Sequence, residues 1–212
     1  KSSASSLRSS KSGVCSVDRR RAEGVLRLSI MLSFRTATLD DIPALIGLVT
    51  SAYRGDDSRQ GWTTEADLLD GQRIDADMLR TDLNAQDSAI LLAIDSAEDD
   101  RPRLVACAHI AKQTGDDGIG TAYLGMFSVR PDAQGGGIGR SVLAEAERIA
   151  RETFGCVRMR MTVIDTREEL IAYYERRGYA RTGIKKPFPY GDPRYGLPKR
   201  DDLRFEVLEK PL

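Results

Sequence analysis

From Val157 to Val163 the chain alternates residue by residue. Val157, Met159, Met161 and Val163 are apolar, and Arg158, Arg160 and Thr162 stand between them. A period of two is the mark of a strand with one face buried. The stretch "GRSVLAEAERIARETFG" has a different rhythm: Val142, Leu143, Ala146, Ile149 and Ala150 share one side of a 3.6-residue repeat, which predicts an amphipathic helix. The same two rhythms organise the rest of the chain. "SFRTAT" predicts a strand over Ser33–Thr38. "LDDIPALIGLVTSAYRG" predicts a helix with Asp40 or Asp41 as cap, Pro43 in its first turn and Gly55 as its stop. Its apolar side is Ile42, Leu45, Ile46 and Val49. A polar loop follows, and a second helix is expected from Thr63 or Thr64. "SAILLAIDS" and "RLVACAHIAKQ" predict two strands joined by the acidic turn "AEDDRPR". "GIGTAYLGMFSV" predicts a strand closed by Pro131, "TREELIAYYERRG" a helix stopped by Gly178, and "YARTG" a short strand. The proline-rich "IKKPFPYGDPRYGLPKRDD" predicts a loop, and "LRFEVLEK" a final strand. The order is βα(α)ββ, then β, glycine-rich turn, α, β, α, β, loop, β. It describes an α/β (α+β) chain with a mixed central sheet and helices on both faces. No internal repeat and no second domain are visible.

The first 30 residues break this pattern. They hold seven basic and two acidic residues, are rich in serine, and leave 25 basic and 30 acidic residues for the remainder. A disordered extension before a domain spanning 31–212 is the favoured reading, with Met31 at its start. A Ser- and Arg-rich targeting segment is the alternative. The full chain of 212 residues carries no formal net charge, which argues against a nucleic-acid partner. No apolar run approaches the roughly 20 residues needed to span a bilayer. Cys15, Cys107 and Cys156 are odd in number and far apart, with no metal spacing. Cys107 and Cys156 read as small buried hydrophobes, and a cytoplasmic, reducing setting is the expectation.

Chemistry concentrates at "RPDAQGGGIGRSVLAEAERIA", Arg130–Ala150. Glycine is costly at a helix start, so four glycines there call for a reason. The first helical N–H groups lack intrahelical acceptors and carry partial positive charge. Glycines let those groups converge on an anion without a Cβ in the way, which describes a phosphate cradle. The dinucleotide pattern G-x-G-x-x-G fails in every register, and no Gly-Lys-Ser/Thr is present.

What the residues do read is Gln134-x-x-Gly137-x-Gly139, after a strand ending Val129-Arg130-Pro131. Here the chain resembles the GNAT superfamily of acyl-CoA-dependent N-acyltransferases, whose pyrophosphate signature has this form. A second block, "ELIAYYERRGY", resembles the later GNAT helix, in which a tyrosine precedes Gly-Phe/Tyr by four residues; Tyr174 and Gly178-Tyr179 match it. The resemblance spans about residues 33–210. It implies a sheet splayed between the two strands flanking the CoA-binding helix, with a bulge expected at Gly125. It implies that pantetheine bonds to the main chain of Phe127, Ser128 and Val129. It also implies that pyrophosphate sits on Gly135, Gly136, Gly137, Ile138, Gly139 and Arg140, beside Gln134. The implied activity is acetyl transfer from acetyl-CoA to an amine, expected to be a small molecule, by direct attack. Tyr174 is then the general acid for the leaving thiolate, with no metal. A non-catalytic CoA-binding sensor or interaction domain is the alternative, and a homodimer remains open.

The general base is where the sequence departs from this pattern. Thr162 and Arg167 stand where many relatives have glutamate and asparagine. Glu65 or a water chain is left as the source of deprotonation. The single histidine, His109, lies within a strand and reads as a packed or edge residue, not a catalytic one. Arg158 and Arg160 share a strand face with Thr162. They have two open readings: an anchor for an anionic acceptor, or pairing with neighbouring carboxylates.

Overall fold

The computed structural model describes residues 32–96, 102–114 and 118–212. The segment 1–30 and most of the acidic turn lie outside the described residues. Strands β1 (Leu32–Thr36), β3 (Ser88–Asp95), β4 (Arg103–Thr114), β5 (Gly120–Val129), β6 (Arg158–Ile164), β7 (Ala180–Pro187) and β9 (Arg204–Pro211) form one sheet. Its order is β1-β3-β4-β5-β6-β9-β7. All neighbours are antiparallel except β5 and β6. Strands β2 (Leu69–Asp70) and β8 (Leu197–Pro198) make a separate two-stranded pair.

Alternation sends side chains to two cores. Leu91 and Ala93 on β3, Ala122 and Leu124 on β5 and Met159, Met161 and Val163 on β6 face α3 (Ile138–Glu152) and α4 (Glu168–Glu175). Ile90, Leu92, Cys107 and Met126 face α1 (Ile42–Tyr53) and α2 (Ala76–Asn84) on the other side. Val142, Leu143, Ala146 and Ala150 of α3 are buried, as the repeat predicts, and so are the free thiols of Cys107 and Cys156.

Two elements depart from the sequence reading. The residues after Thr63 form a single turn, with Leu68 and Leu69 N–H both donating to the Glu65 carbonyl. The second helix starts instead at Ala76, where the Asp75 side chain accepts from the N–H groups of Asp77 and Met78 at 3.0 and 2.8 Å. The tertiary contacts of Glu65 and the pairing of Leu69 with Pro198 override the local helical preference. The strand expected at "YARTG" continues to Pro187, because Lys185–Pro187 pair with β9 past a break in register.

The entry to α1 is fixed by Asp41, which accepts from the Thr38 N–H at 2.8 Å and from both Nη atoms of Arg35 at 2.6 and 2.7 Å. The Arg35 hydrogen bonds hold its carboxyl down at about 2. Asp41→Ala is expected to cost about 1 kcal/mol, the usual value of a lost cap. The folded pKa lies below the unfolded one. The contribution is therefore complete above the unfolded carboxylate pKa and lost as pH falls toward 2. Urea denaturation of both forms at pH 7 and near pH 2 checks this, the two converging at the lower pH.

Candidate active site

Parallel pairing between β5 and β6 lasts for three residues: Thr121 with Arg158, Ala122 with Met159, and Tyr123 with Arg160. Both strands continue beyond, and they separate. The cause is a bulge on β5. His109 faces Gly125 and Cys107 faces Ser128, so Met126 and Phe127 together oppose one residue, Ala108. Met126 takes φ 47°, a left-handed conformation rare outside glycine. The bulge is therefore at Met126–Phe127 and not at the expected Gly125, which stays paired. Gly125 has another use: a Cβ there would stand 3.0 Å from the Tyr123 ring.

The wedge between the strands opens into a cavity of about 770 Å³. One wall carries Phe127, Val129, Gln134, Gly135, Gly136, Gly137, Gly139 and Arg140. The other is α4, with Glu169, Tyr173 and Tyr174, and the turn after it, with Arg176 and Arg177. Of the residues expected to bind the cofactor, Ser128 and Ile138 do not line it, since both side chains are buried in the core. The glycine run now has separate reasons. Gly135 and Gly137 have φ 86° and 90°, and Gly137 caps α3. A Cβ on Gly139 would sit 2.9 Å from the Tyr173 hydroxyl and 3.6 Å from the Phe127 ring. The first turn of α3 can thus press against β5 and α4. A glycine-lined cradle with two left-handed residues, beside Arg140, Arg176 and Arg177, suits a polyphosphate. The buried Nε of Arg177 has no hydrogen-bond partner among the described residues, which fits the same cargo.

Two carbonyls beside the bulge are engaged by side chains. The Tyr53 hydroxyl donates to the Phe127 carbonyl. Gln134 Nε2 donates to the Val129 carbonyl and to Thr63 Oγ1, both at 3.0 Å, and its Oε1 accepts from the Trp62 N–H at 3.0 Å. Gln134 therefore ties the loop after α1 to the end of β5. Tyr174 is 5 % exposed and packs edge-on against Tyr173 and Tyr179. Its hydroxyl has no hydrogen-bond partner among the described residues. Burial, with Tyr53 and Tyr173 adding to it, raises its pKa well above that of free phenol, so the proton stays on.

The chain matches the Acetyltransferase (GNAT) family over residues 51–179, more than half of its length. It belongs to that family. It is 33 % identical over 150 residues to the mycothiol acetyltransferase of Salinispora arenicola, covering 70 % of this chain and 44 % of that protein. The chain thus spans less than half of that curated relative. Among solved structures, Arabidopsis thaliana NAA60 in complex with a bisubstrate analogue is similar at TM-score 0.63 and 12 % identity, over 86 % of this chain and 99 % of that one. The structure of yncA from Salmonella typhimurium with its cofactor acetyl-CoA is similar at TM-score 0.58 and 17 % identity, over 86 % and 94 %. At such identities the likeness is one of fold.

Within this GNAT frame, two expectations about charge change. Glu65 is no free base. It is buried between Arg54 Nη1 at 2.5 Å and Arg167 Nη1 at 3.2 Å, and Arg167 also donates to the Thr63 carbonyl at 2.6 Å. Burial alone would push its carboxyl up, but Arg73, Arg167 and Arg54 outweigh it and hold the pKa low. Arg160 is paired as well, its Nε and Nη2 reaching Glu209 Oε2 at 3.0 and 2.6 Å, so pairing with a neighbouring carboxylate is the reading that holds. Sequence reasoning missed Tyr53, Trp62, Thr63, Arg176 and Arg177 in the cavity wall.

Glu65→Ala would leave Arg54 and Arg167 buried without their carboxylate. A loss of about 3–5 kcal/mol is expected from breaking a buried pair. Thermal unfolding checks it: a variant as stable as the parent would mean that the ion cluster carries no structural weight.

Proposed function

We propose that the chain is an acetyl-CoA-dependent N-acetyltransferase acting on the amine of a small molecule, within a single domain spanning 31–212. The observation that carries this reading is the wedge between β5 and β6, which has a glycine cradle on one wall and a protonated phenol on the other. The cavity volume of about 770 Å³ is in the range of pockets that hold cofactor-sized ligands. N–H groups from Gly135 to Arg140 receive the pyrophosphate, with Arg176 and Arg177 facing it from the turn after α4. Pantetheine runs along Phe127–Val129. A main-chain N–H at the bulge, Met126 or Phe127, faces the thioester oxygen and stabilises the oxyanion as the amine attacks.

Tyr174 then works on the leaving sulfur. Its raised pKa makes early, complete proton transfer unfavourable, so the hydroxyl first donates a hydrogen bond to the sulfur as negative charge builds. The proton passes over as the C–S bond breaks, and the phenol is restored by the proton that leaves the new amide nitrogen. The pairing of β2 with β8 brings the proline-rich loop onto the loop after α1, and this supports a walled acceptor site suited to a small amine.

A thiol-release assay with acetyl-CoA and a panel of amino acids, amino sugars, polyamines and peptide N-termini tests the reading. Binding of acetyl-CoA without transfer to any amine would favour a CoA-binding sensor instead. Tyr174→Phe is expected to lower kcat by about 10²-fold, the scale of lost general acid catalysis, with acetyl-CoA affinity little changed. Gly137→Asp puts a Cβ at φ 90° and a negative charge into the cradle, and calorimetry should show strongly weakened CoA binding.

A further inference from the structure

The loop after α1 is tied to both walls of the wedge. From the β5 side, Gln134 Oε1 accepts from the Trp62 N–H and Gln134 Nε2 donates to Thr63 Oγ1, each at 3.0 Å. From the α4 side, Arg167 Nη2 donates to the Thr63 carbonyl at 2.6 Å, and the Tyr173 ring lies 5.2 Å from that of Trp62. Gly61 completes the fit. A Cβ there would stand 2.8 Å from both Nε2 and Oε1 of Gln134, so glycine lets the amide lie against the loop. Residues 61–63 thus form a strap from one wall of the cavity to the other.

Hydrogen-bond accounting separates the two side chains at this strap. The Trp62 N–H needs an acceptor and the Val129 carbonyl needs a donor, which fixes the way the Gln134 amide points. Nε2 has two protons, and both are spent, on Val129 and Thr63. A phosphate oxygen of CoA only accepts, so this side chain has no donor left for one. Trp62 is placed differently. Its main chain is held, yet the residue is 44 % exposed while lining the cavity. The indole reaches from Gln134 to Tyr173, whose hydroxyl lies 2.9 Å from where a Gly139 Cβ would be. It therefore stands where the arm assigned to Phe127–Val129 meets the pyrophosphate cradle. Close to its pyrophosphate, the arm of CoA carries a carbon with two methyl groups.

We propose that Trp62 packs its indole on this dimethyl segment of acetyl-CoA, and that Gln134 is a positioning residue that holds the strap and is not a ligand of the pyrophosphate. The proposal rests on the acetyl-CoA reading and assigns the residue that covers the arm. Because both walls fix the strap before the cofactor arrives, little freedom is lost when the indole is covered.

Trp62 is the single tryptophan of the chain, so fluorescence of the intact protein reports on this contact alone. Acetyl-CoA should shield Trp62 from acrylamide quenching, and so should 4′-phosphopantetheine, which has the arm and one phosphate. 3′,5′-ADP, which lacks the arm, should bind without shielding it. By calorimetry, Trp62→Ala should weaken acetyl-CoA about tenfold, with Trp62→Phe in between. Gln134→Ala should open Trp62 to acrylamide in the ligand-free protein and weaken acetyl-CoA by a similar factor, with affinity for 3′,5′-ADP kept. Gly61→Ala displaces the amide without approaching a phosphate and should act in the same way. Gln134→Ala combined with Trp62→Ala should bind no more weakly than Trp62→Ala alone. Shielding by 3′,5′-ADP, parental affinity in Trp62→Ala, or additive losses in the double variant would overturn the roles of Trp62 and Gln134 and leave the acetyltransferase reading standing. An unaltered protein that binds no acetyl-CoA would overturn both.

Discussion

The structure depends on a backbone problem at one place in the sheet. Past Tyr123, β5 and β6 no longer pair, yet both strands run on through the protein. Backbone N–H and C=O groups removed from water need partners. The chain supplies side chains where a neighbouring strand would otherwise stand. Tyr53 reaches from α1 to the Phe127 carbonyl, and Gln134 reaches to that of Val129. The strained φ of Met126 belongs to the same solution, because it turns β5 away from β6 while leaving its other edge on β4. A sheet paired evenly here would have no wedge and no cavity.

These substitutions also connect distant parts of the chain. Gln134 bonds Trp62 and Thr63 as well as Val129, so the loop after α1 is anchored to the wall of the cavity. Glu65, two residues on, joins Arg54 at the end of α1 to Arg167 at the start of α4. The two helices thus approach the wedge from opposite sides of the sheet and are braced against one carboxylate. A buried charge is retained here because three arginines surround it, and for that reason it is unsuited to taking up a proton.

Burial shifts Tyr174 and His109 in opposite directions. It penalises the charged form in both cases. For Tyr174 the charged form is the phenolate, so the group keeps its proton. For His109 the charged form is the imidazolium, so burial favours the neutral ring.

Patterns with a local physical cause were legible in the chain. Alternation marked β6, the 3.6-residue repeat marked α3, and Gly137 before Ile138 marked a helix start that needs a positive φ. Those rules marked most of the elements, while the resemblance to the GNAT superfamily, carried by Gln134-x-x-Gly137-x-Gly139 and by the tyrosine and glycine spacing near Gly178, supplied the splayed sheet and about half of the cavity wall. Whatever depended on residues far apart in sequence was decided by the tertiary structure. Arg167 and Thr63, for example, are 104 residues apart. The helix expected at Thr63 gave way to a turn because Glu65 is drawn into arginines from two other elements. Gly125 looked like a bulge, but the bulge fell on Met126, since register is set by the partner strand. Periodicity reports which face of an element is buried; which charges meet beneath that face depends on the packing of the other elements.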